Sequence, residues 1–252
     1  MKIIALDLGS RSVKIAISDG FLNDYNIYDT SSFFSDCGKP GIDGFKLDFE
    51  KFGLEKDARV FATGYGRNAL SIASATVLPE IQAHALGAIE QTGLKDTAVV
   101  DLGGQDSKII WLEDGRIRDF FMNDRCAASA GRYIENMASV LGLTLEEISN
   151  YYELPERLTT TCAVFGESEI VSKLARGADK YRLAAGVNLQ IVNKISAKLA
   201  NSPVPNIVLV GGVAKNTAIA KLLAQTTGVP VVIPKYPQFN AVIGLINHSA
   251  SF

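Results

Sequence analysis

The 252-residue sequence predicts a two-domain α/β fold, and three observations carry the prediction. Apolar strand-like runs alternate with amphipathic helical stretches, the order expected of α/β layers. The length suits one large or two modest domains. A short pattern also occurs twice. Ala5-Leu-Asp-Leu-Gly-Ser-Arg-Ser-Val-Lys-Ile15 aligns with Val99-Val-Asp-Leu-Gly-Gly-Gln-Asp-Ser-Lys-Ile109, so that Asp7 falls on Asp101, Gly9 on Gly103 and Lys14 on Lys108. The expected division is 1–88 and 89–235, with a last helix in 236–252 packing back near the first domain.

Taken in order, Lys2–Leu6 and Val13–Ser18 read as a hairpin around a small-residue turn, with Asp19-Gly20 as the next turn. Residues 21–57 are polar and glycine-rich, with strand-like pieces and one short helix. Arg59–Thr63 reads as a strand and Thr63–Arg67 as a turn. Ile81–Gln91 carries Ala and Leu at helical spacing. Thr97–Leu102 and Lys108–Leu112 form the second hairpin, followed by a turn at Asp114-Gly115. Gly131–Leu141 is a helix with Ile134, Met137, Ala138 and Leu141 on one face. Leu145–Tyr152 is a short helix capped by Thr144, with Glu147 at the third position. Glu167–Arg176 and Arg182–Ala200 are helices. Asn206–Val210 is an apolar strand ending in Gly211-Gly212. Asn216–Thr226, Val229–Ile233 and Ala241–His248 follow as helix, strand and helix.

Bulk properties narrow the function. A net charge of −2 does not point to a nucleic-acid-binding surface. No apolar run reaches the roughly 18–20 residues needed to span a bilayer. Met1-Lys2 leads directly into a strand without a signal-peptide pattern, so a cytoplasmic location is expected. The three cysteines are an odd number that does not suit a disulfide framework, which leaves free thiols or metal ligands.

The repeated Asp carries the chemistry. A glycine turn offers backbone N–H groups to an anion, and a carboxylate beside it suits Mg²⁺ or its waters. Asp7 and Asp101 are therefore the metal-side carboxylates, and two such hairpins would clamp a nucleoside triphosphate. The competing reading is an Asp hydrogen-bonded to its own turn. His84, on a helix among alanines, reads as a satisfied core or interdomain histidine, and with only His84 and His248 present a Ser-His-Asp hydrolase has little support.

Asp7-Leu-Gly-Ser10, Asp101-Leu-Gly-Gly104 and Val210-Gly-Gly-Val213 together resemble the two phosphate segments and the adenosine segment of the actin/sugar-kinase/heat-shock-chaperone ATPases. That resemblance implies two ribonuclease-H-like (actin-type) domains around a nucleotide cleft. A narrower resemblance spans nearly the whole chain. It rests on Thr63-Gly-Tyr-Gly-Arg67, Glu80–Ala88, Asp101–Lys108, Asn123–Arg132, Cys162-Ala-Val-Phe-Gly-Glu-Ser-Glu169 and Gly211-Gly-Val-Ala-Lys-Asn216. These look like the activators of 2-hydroxyacyl-CoA dehydratases and the related ATPase subunits of benzoyl-CoA reductase and double-cubane-cluster reductases.

The resemblance implies an ATP-driven electron donor. It would be a homodimer holding one [4Fe-4S] cluster, with Cys126 and Cys162 of each chain as ligands, and would pass a low-potential electron to a partner iron–sulfur dehydratase or reductase. A ferredoxin or flavodoxin would supply the electron. Four-thiolate ligation with two cysteines per chain requires two chains. A helix beginning just after Cys126 would stabilise an anionic cluster. Gly9, Ser10, Arg11 and Ser12 form the first phosphate loop, and Gly103, Gly104, Gln105 and Asp106 the second. Gln105 and Asp106 would orient the attacking water or hold a water of Mg²⁺. Gly131 belongs to the Asn123–Arg132 segment. Gly211, Gly212 and Val213 would let adenosine approach the backbone, and Asn216 is either a nucleotide contact or a helix N-cap. Cys37 matches no ligand of the family.

The chain departs from the family pattern at Ser129-Ala130-Gly131 (usually Gly-Thr-Gly), at Gly166 (usually Ala) and at Arg11-Ser12-Val13 (usually a threonine run). A small-molecule kinase of the same superfamily is the alternative; it would have no use for paired cluster cysteines. A filament-forming assembly module would likewise hold no iron.

Overall fold

The structure, a computed structural model, describes residues 2–20, 23–42, 44–64, 75–123, 131–159 and 163–250. Contacts divide the chain into two compact units, Met1–Leu94 with Gln238–Phe252, and Lys95–Pro237.

In the first unit, β1 (Ile3–Leu8) pairs antiparallel with β2 (Ser12–Ser18), and β2 with β3 (Asn23–Asp29). β1 also pairs in parallel with β6 (Arg59–Gly64), which pairs with the short β7 (Thr76–Val77). Between these lie α1 (Thr30–Asp36) and a small hairpin of β4 (Gly38–Gly41) and β5 (Gly44–Leu47). Asp29 caps α1 by accepting from Ser31 N at 2.9 Å and Ser32 N at 3.3 Å, which satisfies N–H groups the helix itself leaves free. β3 is missing from the sequence reading as a defined strand because it is a polar, half-exposed edge with no buried alternation to reveal it.

α2 (Glu80–Thr92) and α8 (Asn240–Ser249) pack on each other and on this sheet. They approach closely because two contact positions lack a side chain. A Cβ on Gly87 would collide with Asn240 O, and one on Gly244 with Ala83 O.

The second unit repeats this sheet. β8 (Thr97–Leu102) pairs antiparallel with β9 (Ser107–Glu113), and β9 with β10 (Arg116–Asn123). β8 pairs in parallel with β11 (Ile207–Val210), and β11 with β12 (Val231–Val232). The orders β3-β2-β1-β6-β7 and β10-β9-β8-β11-β12 match strand for strand, in direction as well as position. Each sheet is thus the ribonuclease-H-like arrangement, and the repeated hairpin is the part visible in sequence of a repeat that spans the whole sheet.

Helices α3 (Gly131–Leu141), α4 (Leu145–Ile148), α5 (Ala163–Ala175), α6 (Lys180–Leu199) and α7 (Thr217–Thr227) complete the unit. Their apolar faces share one core with β8, β9 and β11, in which Val100, Ile109, Met137, Ile170, Val187 and Leu209 are fully buried. Each such side chain contributes about 1.5–3 kcal/mol of transfer free energy. α5 begins four residues before the position its sequence suggests. α4 ends at Ile148, short of the expected Tyr152, and its capping box of Thr144 and Glu147 is present. Among the described residues no helix is long and apolar enough to cross a membrane.

Candidate functional site

Register builds the site. In the first hairpin Asp7 lies opposite Lys14, and in the second Asp101 lies opposite Lys108. Opposite residues of an antiparallel pair place their side chains on one face, so each Asp receives an ammonium from the neighbouring strand. Lys14 Nζ stands 3.4 Å from Asp7 Oδ2, and Lys108 Nζ 3.2 Å from Asp101 Oδ2. Lys108 also ion-pairs with Asp106 Oδ2. Both Asp residues are 4% exposed.

The third part of each cradle comes from the parallel strand. Gly64 ends β6 beside Leu8, with φ +91°, and Gly211 follows β11 beside Leu102, with φ +88°. A Cβ on Gly64 would lie 2.8 Å from Asp7 Oδ1, and one on Gly211 would lie 2.5 Å from Asp101 Oδ1. Only glycine suits both the left-handed backbone and the close approach of the carboxylate. Sequence reasoning missed Gly64, Lys14 and Lys108 as members of the site. The repeat did contain the signal for the lysines, since both fall at the same offset from their Asp. The Gly64–Gly211 equivalence required the parallel pairings.

The first turn, Gly9 to Ser12, is braced by Thr30, whose Oγ1 donates to Gly9 O at 2.8 Å. Ser10 and Arg11 are exposed and Ser12 half-buried. A Cβ on Gly9 would come within 2.8 Å of Ser12 O and 3.0 Å of Lys14 Nζ, so the turn is packed tightly over the Asp–Lys pair. In the second turn the absence of a Cβ on Gly103 makes room for the Asp106 carboxylate, while Gln105 is exposed.

This second turn is tied to α3. Gly131 N donates to Gly103 O at 2.9 Å, and Arg132 N to Gly104 O at 2.8 Å. Gly131 also faces Val213: a Cβ there would lie 3.5 Å from Val213 Cγ2. Gly103, Gly104, Gly131, Gly211 and Val213 are therefore brought together. Gly212 is exposed next to them. Asn216 caps α7, its Oδ1 accepting from Ile219 N at 3.2 Å, and its Nδ2 donates to Asn188 Oδ1 at 2.9 Å. This amide anchors the loop that carries Gly211–Val213.

α3 and α5 meet through Tyr133, Met137 and Gly166, with Asn136 Nδ2 donating to Glu167 Oε1. Burial, helped by the nearby Glu169 charge, pushes the Tyr133 phenol up to about 12. Cys126 and Cys162 lie outside the described residues. Cys37 is 4% exposed in the aromatic core of the first unit, and burial raises its thiol pKa. His84 is buried, its ring Nδ1 3.3 Å from Asn240 Nδ2 and its Nε2 3.9 Å from Glu80 Oε1, as in a core histidine with polar partners.

Two matched sheets, each presenting an Asp–Lys pair beside a glycine turn, define the actin-type fold class. The chain belongs to the BadF/BadG/BcrA/BcrD ATPase family, whose pattern matches residues 43–246. It is 37% identical over 206 residues to the activator of lactoyl-CoA dehydratase from Anaerotignum propionicum, covering 78% of each chain. It is 35% identical over 195 residues to the (R)-2-hydroxyglutaryl-CoA dehydratase activating ATPase of Acidaminococcus fermentans, covering 75% of this chain and 74% of that one. Among solved structures, the activator of the 2-hydroxyisocaproyl-CoA dehydratase from Clostridium difficile with bound ADPNP superposes with a TM-score of 0.85 at 29% identity, over 100% of this chain and 95% of that one.

Proposed function

We propose that this protein is an ATP-dependent activator that uses ATP hydrolysis to pass a low-potential electron to a partner iron–sulfur enzyme of the 2-hydroxyacyl-CoA dehydratase or double-cubane reductase type. The observation that carries this reading is the similarity, over three quarters of the chain or more, to proteins named as dehydratase activators, one of them solved with ADPNP.

The residues fit a magnesium nucleotide. Asp7 Oδ1 is buried and has no hydrogen-bond partner among the described residues, the condition of a carboxylate oxygen that suits a cation or its water. Gly9–Ser12 and Gly103–Asp106 offer turn N–H groups to phosphate oxygens. Asp7 acts as the metal-side carboxylate, Asp101 fixes the charge and shape of the second phosphate turn, and Gln105, exposed at the turn, orients the attacking water. Catalysis of this kind is positioning and electrostatics rather than covalent chemistry. Gly131, Gly211, Gly212 and Val213 line the adenosine side, and Asn216 holds that loop in place.

Cys126 and Cys162 of two copies of the chain supply the four thiolates of one [4Fe-4S] cluster, which supplies the electron when bound. A homodimer follows from that stoichiometry. A ferredoxin or flavodoxin is the donor, and the cytoplasm is the site of action. The bonds from Gly131 N and Arg132 N to the second phosphate turn support coupling, because α3 opens five residues after Cys126. A turn that rearranges with the state of the nucleotide would pull on the N-terminus of that helix.

The test is anaerobic purification with iron analysis. Four irons per dimer are expected, the content of one four-thiolate cubane. Cys126→Ser and Cys162→Ser should each abolish it, and Cys37→Ser should keep it. A colourless, iron-free protein that phosphorylates a small molecule would point to the kinase instead.

A further inference from the structure

The two cradles are built alike but are not chemically equal. In the aligned repeat, Asp106 of the second hairpin stands where the first has Ser12. Lys108 is 1% exposed and shared by two carboxylates, Asp101 at 3.2 Å and Asp106. Lys14 has a side chain 18% exposed and stands 3.4 Å from Asp7 Oδ2, while Asp7 Oδ1 is buried without a hydrogen-bond partner among the described residues. The Asp106 carboxylate reaches Lys108 because Gly103 leaves it room.

We propose that Lys108 is a positioning residue that takes the place of a divalent cation on Asp101 and Asp106, so that the ion of the reaction is taken by Asp7 in the first unit. This rests on the nucleotide reading above. A pair of carboxylates converging on one point is the donor set of a hard cation such as Mg²⁺ or Mn²⁺. Here a lysine ammonium, a compact point charge with three donors, fills that point from within the chain. The arrangement holds Asp101 and Asp106 in fixed positions before any nucleotide arrives, and it keeps free metal off the second phosphate turn. The first hairpin, with Ser12 in place of the second carboxylate, leaves its Asp open on one oxygen.

The experiment measures Mn²⁺ binding to the nucleotide-free full-length protein by electron paramagnetic resonance, together with thermal stability with and without Mn²⁺. Lys108→Gln keeps an N–H donor at the position and removes the charge. It should bind Mn²⁺ at least roughly tenfold more tightly than the wild type, the scale of one unit charge a few ångströms from the ion. Its melting temperature should rise with Mn²⁺ by more than that of the wild type, which keeps only the Asp7 site. Asp101→Asn/Lys108→Gln should return Mn²⁺ affinity to the wild-type level, and Lys108→Arg should behave as wild type. A Lys108→Gln protein that is folded and indifferent to Mn²⁺, or unfolded at every Mn²⁺ concentration, overturns the proposal. Because the assay contains no nucleotide, failure of the ATPase reading would show separately, as a wild type that does not bind ATP.

Discussion

Gly211 packs its bare Cα against Asp101: a Cβ at that position would lie 2.5 Å from Asp101 Oδ1, on a backbone whose φ is +88°. Gly64 stands in the same relation to Asp7, at φ +91° and 2.8 Å. A carboxylate, a cross-strand lysine and a left-handed glycine therefore form one unit of design used twice.

Gly211→Ala should cost about 1–3 kcal/mol from the left-handed backbone alone, with the collision added. Asp101 would be displaced, and nucleotide affinity should fall along with stability. Denaturant titration and calorimetric ATP binding, run on the same preparation, check both parts. An alanine variant with wild-type affinity would show that Asp101 does not need its present position.

Asp101→Asn preserves shape and leaves Lys108 paired with Asp106. It should stay folded yet lower ATP turnover at least about a hundredfold, the scale of losing one preorganised electrostatic group. Steady-state hydrolysis with circular dichroism as the control measures this, and wild-type turnover would remove Asp101 from the mechanism.

Gly166→Ala should stabilise the protein. A Cβ there would meet Met137 Sδ at 3.4 Å and Tyr133 Cε2 at 3.6 Å, which is ordinary packing, and its backbone is helical. Replacing an interior helix glycine under those conditions gains about 0.5–1 kcal/mol. The shift in urea midpoint reads it directly, and a lower midpoint would contradict the α3–α5 packing.

The capping box gives a pH dependence. Hydrogen bonds from Thr144, its backbone N–H first and its hydroxyl second, hold the Glu147 carboxyl below the ordinary carboxylate range. A depressed pKa means that the contribution is complete above the unfolded value of roughly 4.3 and is lost as pH falls through the folded value. Glu147→Gln should lower the urea midpoint at neutral pH. The gap to wild type should then narrow between roughly pH 5 and 3, as the wild-type carboxyl takes up its proton. A gap independent of pH would assign the loss to something other than the charge.

Local patterns were legible in the sequence. The β8–β9 hairpin, the Gly131–Leu141 helix, the Thr144–Glu147 cap and the paired Asp residues all follow from short-range periodicity and turn chemistry, which neighbouring residues determine by themselves. Non-local pairing was not legible. Lys108 on an alternating strand has two possible faces, and the register that sets it opposite Asp101, with Asp106 seated at Gly103, decides which carboxylates it meets. Gly64 becomes the counterpart of Gly211 only once β6 lies beside β1 and β11 beside β8. The close seating of α8 on α2 depends on Gly87 and Gly244 meeting across about 150 residues of sequence, a separation over which periodicity carries no information. Short-range pattern was enough for the α/β class, the duplicated hairpin and the types of residue available for chemistry. Which glycines admit the carboxylates, and which Asp oxygen has no partner among the described residues, depended on folding, because those outcomes rest on parallel pairings between strands far apart in the chain.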